Sequence, residues 1–319
     1  MKRSIYLWKF PIIKIKRDEH YEKRYFLGVQ YKVLKFDPPK RDFLEAWMCE
    51  SFKNVKNCNI RVVLANLGEA VVYARTHQYW YKPGMLLFVT RPQHREIFGM
   101  FAPGIFTFYC GDVILNEPMV DRNGNNLRAV LFNEELIEIN KSGKPFIQSW
   151  QEYLKADFSN LTYPKAKISE EAKITALRKA NVLGVDLDKF VFFMTFARSQ
   201  DLLSRSFWEE IEEKLKAIGL DVFYNSASFT MEEAYVLAKR SKAIISLRSG
   251  FNEILSEIEV PQHVIYTHNR WHGDLQPMYN LKTFPWSAAE YITEYNIKEQ
   301  KMEDIKRTIL EKVLASVEH

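Results

Sequence analysis

Cysteine is scarce. Three occur in 319 residues, Cys49, Cys58 and Cys110, and none forms a C-x-x-C pair. That count and spacing exclude a disulfide framework, speak against a zinc site and suit a reducing compartment. Glycine and proline number only 12 each, which excludes collagen-like and low-complexity classes. No apolar run reaches the ~20 residues that a membrane-spanning helix needs. A secretory signal is not expected, because Lys9 and Lys14 interrupt the first apolar stretch. What is present is ordinary for a globular enzyme: 47% hydrophobic and 27% charged residues. The length suggests two domains of roughly 100–200 residues each.

Charge is uneven. Residues 1–40 carry eleven Lys or Arg against four acids, a local charge of +7 in a chain of net +5, which leaves the remainder at −2. The bases alternate with Tyr6, Leu7, Trp8, Phe10, Ile12, Ile13 and Ile15, a mixture that suits lipid headgroups. The segment is read as an extension toward an anionic membrane surface; the simpler reading is a strand or hairpin with Lys at its edge. It also repeats itself weakly: Tyr6–Lys16 aligns with Tyr25–Lys35. The charge is confined to this arm and no RNA or DNA motif appears, so no nucleic-acid partner is expected.

The body alternates strand and helix. Ile60–Ala65, Met85–Thr90 and Phe106–Cys110 read as buried strands, with helical stretches over Glu69–Arg75 and Gln93–Phe101 between them. Leu127–Phe132 reads as a further strand and Phe146–Leu154 as a helix. Ser169 is an N-cap. The alternation then repeats more clearly, with strands at Phe190–Thr195, Asp221–Asn225, Ala243–Leu247 and His263–Tyr266. Ser204 or Ser206 caps a helix that ends near Gly219, and Thr230-Met-Glu-Glu233 has capping-box form. A helix is expected to follow Arg248-Ser249-Gly250 as far as Ile258, with Pro261 beyond it, and Met302–Val317 is a terminal helix. Such spacing implies parallel sheets covered by helices, with ligands at the carboxyl ends of the strands.

Three places carry a resemblance: Leu67-Gly68-Glu69, Thr195-Phe-Ala-Arg198-Ser199, and Ala243–Leu255 with its Arg248-Ser249-Gly250 turn. In these the chain resembles GT-B glycosyltransferases of the bacterial surface-polysaccharide type, and the lipopolysaccharide heptosyltransferase group most. It departs from that group with Arg248 in place of an Asp, Glu253 in place of a His, and Asp201 in place of a donor-phosphate Lys. The resemblance implies an α/β GT-B fold with two Rossmann-like doubly wound domains facing a cleft. It implies an extension over 1–57, an acceptor-side domain over 58–180 and a nucleotide-sugar domain over 181–319. It also implies capsule, exopolysaccharide or lipooligosaccharide synthesis on the cytoplasmic side of a membrane, with a glycan or lipid-linked acceptor.

Residue chemistry gives each position a task. Glu69 is the candidate general base of an inverting transfer, with Asn66 and His77 as helpers. Arg248, Ser249 and Gly250 would hold the donor diphosphate by a guanidinium fork and a helix N-terminus. Thr195, Arg198 and Ser199 sit where a second set of phosphate contacts belongs, and Arg205 is a weaker substitute. Asn252 and Glu253 complete that set. Asn225 and Glu257 are candidates for ribose, base or sugar hydroxyls, Glu257 sharing a helix face with Glu253. No cofactor and no metal are expected. Asp186-Leu187-Asp188 reads as turn chemistry, and His268, His272 and Asp274 lack metal-ligand spacing. Tyr79-Trp80-Tyr81 and Trp271-His272-Gly273 are aromatic runs that either stack on a sugar or pack in a core. A sugar-nucleotide epimerase of the same fold, and a non-catalytic nucleotide- or membrane-binding module, remain the competing readings.

Overall fold

The run Phe190–Met194 shows how the second half of the chain is built. Phe190, Phe192 and Met194 enter one hydrophobic core, while Val191 and Phe193 enter another. Both faces of the strand are buried, which is why the run is apolar throughout rather than alternating. The structure, a computed structural model, describes 2–7, 10–17, 21–26, 29–35, 60–63, 66–82, 85–89, 91–109, 119–120, 126–127, 129–131, 143–158, 161–269 and 276–317.

The chain divides into two compact units, 1–58 with 113–128, and 59–112 with 129–319. The first contains an antiparallel four-stranded sheet of β1 (Lys2–Leu7), β2 (Phe10–Arg17), β3 (Tyr21–Phe26) and β4 (Val29–Lys35). The weak repeat is thereby explained, since each copy covers the end of one strand and the strand that pairs back on it. The site lies in the second unit.

That unit contains two parallel sheets. One is formed by β5 (Ile60–Val63), β6 (Leu86–Val89) and β7 (Thr107–Tyr109). The stretch expected as one strand over Leu127–Phe132 is split. Its beginning falls in β9 (Asn126–Leu127), paired antiparallel to β8 (Met119–Val120); its end is β10 (Ala129–Leu131), parallel to β5. The order is β10-β5-β6-β7. α1 (Leu67–Arg75), the short α2 (His77–Trp80), α3 (Pro92–Phe101) and α4 (Phe146–Leu154) accompany this sheet.

The other sheet holds β11 (Phe190–Met194), β12 (Asp221–Tyr224), β13 (Ala243–Leu247), β14 (Gln262–Tyr266) and β15 (Ile292–Asn296). All its pairings are parallel and the order is β12-β11-β13-β14-β15. Counted within the half this is 2-1-3-4-5, a doubly wound order whose switch point lies between β11 and β13. One face is covered by α6 (Arg205–Ala217) and α10 (Met302–Val317), through Phe207, Ile211, Ile305 and Ile309. The other is covered by α5 (Glu170–Val182), α7 (Met231–Arg240) and α8 (Phe251–Leu255).

Local signals account for the helix starts. Ser169 and Ser204 accept from Ala172 N and Phe207 N, and the Thr230–Glu233 capping box is complete. Burying a large apolar side chain stabilises by about 1.5–3 kcal/mol, so such helices are held mostly by the face they cover. The core cluster under α7 and α8 is continuous with the one that buries Val71, Phe98 and Trp150. The two sheets therefore share one hydrophobic core. Two further contacts join them: Glu96 on α3 accepts from Met231 N at the start of α7, and α1 packs on α8.

Two further points depart from the sequence reading. The helix after Gly250 stops at Leu255 rather than reaching Ile258. A fifth strand, β15, follows a stretch of short 3-10 turns that carries no clear periodicity. Trp271-His272-Gly273 and Asp274 lie outside the described residues.

Candidate active site

At the switch point, the loops after β11 and β13 face the start of α1. They enclose a cavity of about 760 Å³ lined by Asn66, Thr195, Arg198, Ser199, Asn225, Ser249 and Gly250 among others. That volume lies within the ordinary range for small-ligand sites. A smaller cavity of about 50 Å³, room for ordered water, shares Asn66, Ser199, Ser249 and Gly250 as walls and is closed by Glu69, Arg248, Glu253 and Tyr279.

Two glycines set how closely these parts approach. A Cβ on Gly250 would stand 2.5 Å from Gly68 N and 2.6 Å from Leu67 Cβ. A Cβ on Gly68 would stand 2.5 Å from Glu253 Oε1. Backbone therefore meets backbone here, and only residues without a side chain allow it.

Glu69 sits in the first turn of α1 and is 7% exposed. Its Oε1 accepts from Asn66 Nδ2 and from the Tyr279 hydroxyl, each at 3.4 Å. Burial raises its pKa above the ordinary carboxylate range, against the pull of its backbone hydrogen bond, of Asn66, of Tyr279 and of the Arg248 charge. A carboxylate with a raised pKa suits proton abstraction near neutral pH better than an exposed one.

Arg248 is placed differently from the expectation. It is 4% exposed, and Nη2 meets Glu253 Oε1 at 2.5 Å while Nη1 meets Oε2 at 3.0 Å. Its remaining donors go to the Ser249 and Tyr279 carbonyls. Burial opposes its charge most strongly, but Glu253 and Tyr266 together outweigh it and raise the pKa. The fork is spent inside the protein, so Arg248 and Glu253 form a buried ion pair beside Glu69 rather than an open phosphate clamp. Asn252 is buried as well: its Oδ1 accepts from Ser249 N at 2.7 Å and its Nδ2 donates to Ser246 at 2.8 Å, which shapes the turn. With α8 only five residues long, the helix N-terminus expected there is slight.

Glu257 also serves the fold. It lies beyond α8, pairs with Arg75 at 2.9 Å and accepts from Ala166 N and the Tyr235 hydroxyl, so it does not share a ligand-facing helix side with Glu253. Asp186 and Asp188 form a turn, with Asp188 N donating to Asp186 Oδ1 at 3.0 Å. Trp80 is in the core and donates to the Tyr73 carbonyl. His77 Nδ1 lies 2.8 Å from the Ala74 carbonyl and lines neither cavity. Arg205 pairs with Glu209 on its own helix. No cluster of three metal-ligating side chains occurs among the described residues.

Thr195, Arg198, Ser199, Asn225, Ser249 and Gly250 do converge on the large cavity. Arg198 is exposed and has no partner among the described residues, and Asn225 Oδ1 is buried without one. The Arg198 loop is fixed by Gln200, whose Nε2 donates to the Arg248 carbonyl and whose Oε1 accepts from Thr267 N, both at 2.8 Å. Sequence reasoning missed Gln200, Tyr279, Arg91, Gln93 and Phe196. Phe196 is 68% exposed on the cavity wall, a flat apolar surface for a ring. Only Phe196 carried a signal, an aromatic inside the Thr195–Ser199 loop. Tyr279 stands 210 residues from Glu69 with no spacing to announce it.

No family model and no curated protein matches the chain. Among solved structures it is similar to E. coli ADP-heptose lps heptosyltransferase II, with 13% identity over 81% of this chain and 98% of that one, at a TM-score of 0.48. It is similar to a glycosyl transferase family 9 protein from Veillonella parvula, with 10% identity over 78% and 88% and a TM-score of 0.49. For the iron-containing dodecameric glycosyltransferase TibC from enterotoxigenic E. coli the values are 13%, 93%, 81% and 0.41.

Proposed function

We propose that this chain is a glycosyltransferase that moves a sugar from a nucleotide-sugar donor to a glycan or lipid-linked acceptor in surface-polysaccharide synthesis. One observation carries the reading. A buried carboxylate with a raised pKa adjoins a cavity at the switch point of a doubly wound sheet, and that cavity is lined by hydroxyls and a free arginine.

In this reading the donor diphosphate lies against Thr195, Ser199 and Ser249, with Arg198 in the cationic role first assigned to Arg248. Asn225 and Phe196 meet the nucleoside. Glu69 takes the proton of the acceptor hydroxyl as its oxygen bonds to the anomeric carbon. The bond from that carbon to the phosphate oxygen breaks, and the nucleoside diphosphate leaves with the electron pair. Attack opposite the leaving group inverts the anomeric centre. The charge that develops on the diphosphate is met by Arg198 and the loop hydroxyls, so no divalent metal is required. The Arg248–Glu253 pair sets the Arg248 guanidinium beside Glu69 with its charge balanced by the Glu253 carboxylate, and it packs against the Gly68–Gly250 contact.

The basic amino-terminal unit suits an anionic membrane surface and a cytoplasmic, peripheral location. No described helix is long and apolar enough to cross a membrane.

The test is transfer from nucleotide sugars to glycan or lipid acceptors with Glu69→Gln alongside. The kcat of this variant is expected to fall by about 10²–10⁴-fold with donor Kd unchanged. The acid limb of wild-type kcat/KM is expected above the ordinary carboxylate range. Near-normal kcat in the variant removes Glu69 from the mechanism, and loss of activity in EDTA rejects the metal-free account. Epimerised donor with no transfer would favour the epimerase instead.

A further inference from the structure

A third cavity, of about 330 Å³, lies at the other end of α1 and is lined by Arg75, Tyr163, Lys165, Glu259, Trp286 and Glu290 among others. Arg75 closes α1, six residues from Glu69, or about 9 Å along the helix axis at 1.5 Å per residue. Its guanidinium is fully buried, 4.0 Å from the Phe101 ring centre and 5.0 Å from that of Trp286. Nη1 donates to the Pro164 carbonyl at 2.7 Å and Nη2 to Glu257 at 2.9 Å.

Two buried donors on this wall have no partner, Arg75 Nε and Trp286 Nε1. Leaving a buried donor unmade costs free energy, so both call for an acceptor. Lys165, Glu259 and Glu290 are exposed on the rim and have no partner among the described residues. Arg75 and Glu257 cancel, so the wall carries one positive and two negative free charges. A phosphate is disfavoured by that balance, and an apolar ligand would strand the donors. No set of metal ligands is present among the described residues.

What fits is a neutral molecule rich in groups that both donate and accept, with an apolar face for the Tyr163 and Trp286 rings, whose centres are 5.3 Å apart. The volume is at the small end for ligand sites, the scale of a single sugar ring. We propose that the cavity bounded by Arg75, Tyr163 and Trp286 binds one saccharide unit, separately from the catalytic cavity. Its position on the same helix as Glu69 suits a distal residue of a glycan. This placement rests on the transfer reading; the sugar site itself does not.

The experiment is saturation-transfer NMR on the full chain with free glucose, galactose, mannose and N-acetylglucosamine, with and without a nucleoside diphosphate. Trp286→Phe keeps a ring and removes the Nε1 donor. Glu290→Ala changes only the exposed rim, so a folding defect in the first variant does not end the test. At least one sugar is expected to bind, about three- to tenfold more weakly in each variant, and equally well in Glu69→Gln. Nucleoside diphosphate should not displace it, which separates this site from the catalytic one. No binding by any of the four sugars, binding that neither Trp286→Phe nor Glu290→Ala weakens, or displacement by the nucleotide overturns the proposal.

Discussion

Glu69 and Glu253 are carboxylates from distant parts of the chain that share one small buried space, with Arg248 between them as counter-charge. Burial raises the Glu69 pKa, so ionising it costs stability: the native state is favoured below the unfolded pKa and loses that advantage as pH rises through the folded value. The glycines beneath are equally constrained. Gly250→Ala must push against the Gly68 backbone, which cannot move aside as a side chain would. Overpacking of this kind typically costs about 1–3 kcal/mol, and calorimetry should record a lowered Tm. Wild-type melting of Gly250→Ala would mean that the two loops do not meet as described. Little of this was legible beforehand. An Arg before Ser-Gly looks the same in sequence whether its fork faces a ligand or a carboxylate five positions on. Glu257, four residues past Glu253, suggested a shared helix face only because the helix was expected to run further.

At the scale of elements the sequence said much more. β11 is buried on both faces, so its unbroken apolar character was visible directly, as were the apolar runs within β13 and β14, and Ser169, Ser204 and Thr230 marked helix starts where the caps are found. β15 was missed because Ile292–Asn296 mixes Thr, Glu and Asn into an edge strand. One element also carries a pH signature. His263, the second residue of β14, is buried with Nε2 unpartnered, and burial, together with Lys312, pushes its pKa down to about 3. Its unfolded value is about 6.5, so between these limits the unfolded state binds more protons and stability falls as pH drops. The slope is about 1.4 kcal/mol per pH unit within that window. Urea unfolding from pH 7 to 4 should therefore be flatter for His263→Gln than for wild type. Parallel curves would show that His263 does not contribute.

At the scale of the whole molecule, the chain combines a basic antiparallel sheet with a body in which two parallel sheets share one core. The excess of Lys and Arg before residue 41 was legible from composition, and a strand or hairpin with Lys at its edge was the simpler reading of that segment. If this unit serves an anionic surface, deleting 1–40 should reduce cosedimentation with phosphatidylglycerol vesicles while transfer to a soluble acceptor persists. Equal sedimentation of both proteins would remove the membrane from the account. The central claim is that the cavity between the loops after β11 and β13 holds a nucleoside diphosphate, and thermal melting against ADP, UDP, GDP and CDP tests it most directly. At a hundredfold excess over Kd a ligand specific for the native state adds about 2.7 kcal/mol, so at least one nucleotide should raise Tm by several degrees, and Arg198→Ala should diminish the shift. Unchanged melting with all four, or a shift that Arg198→Ala leaves intact, would contradict it.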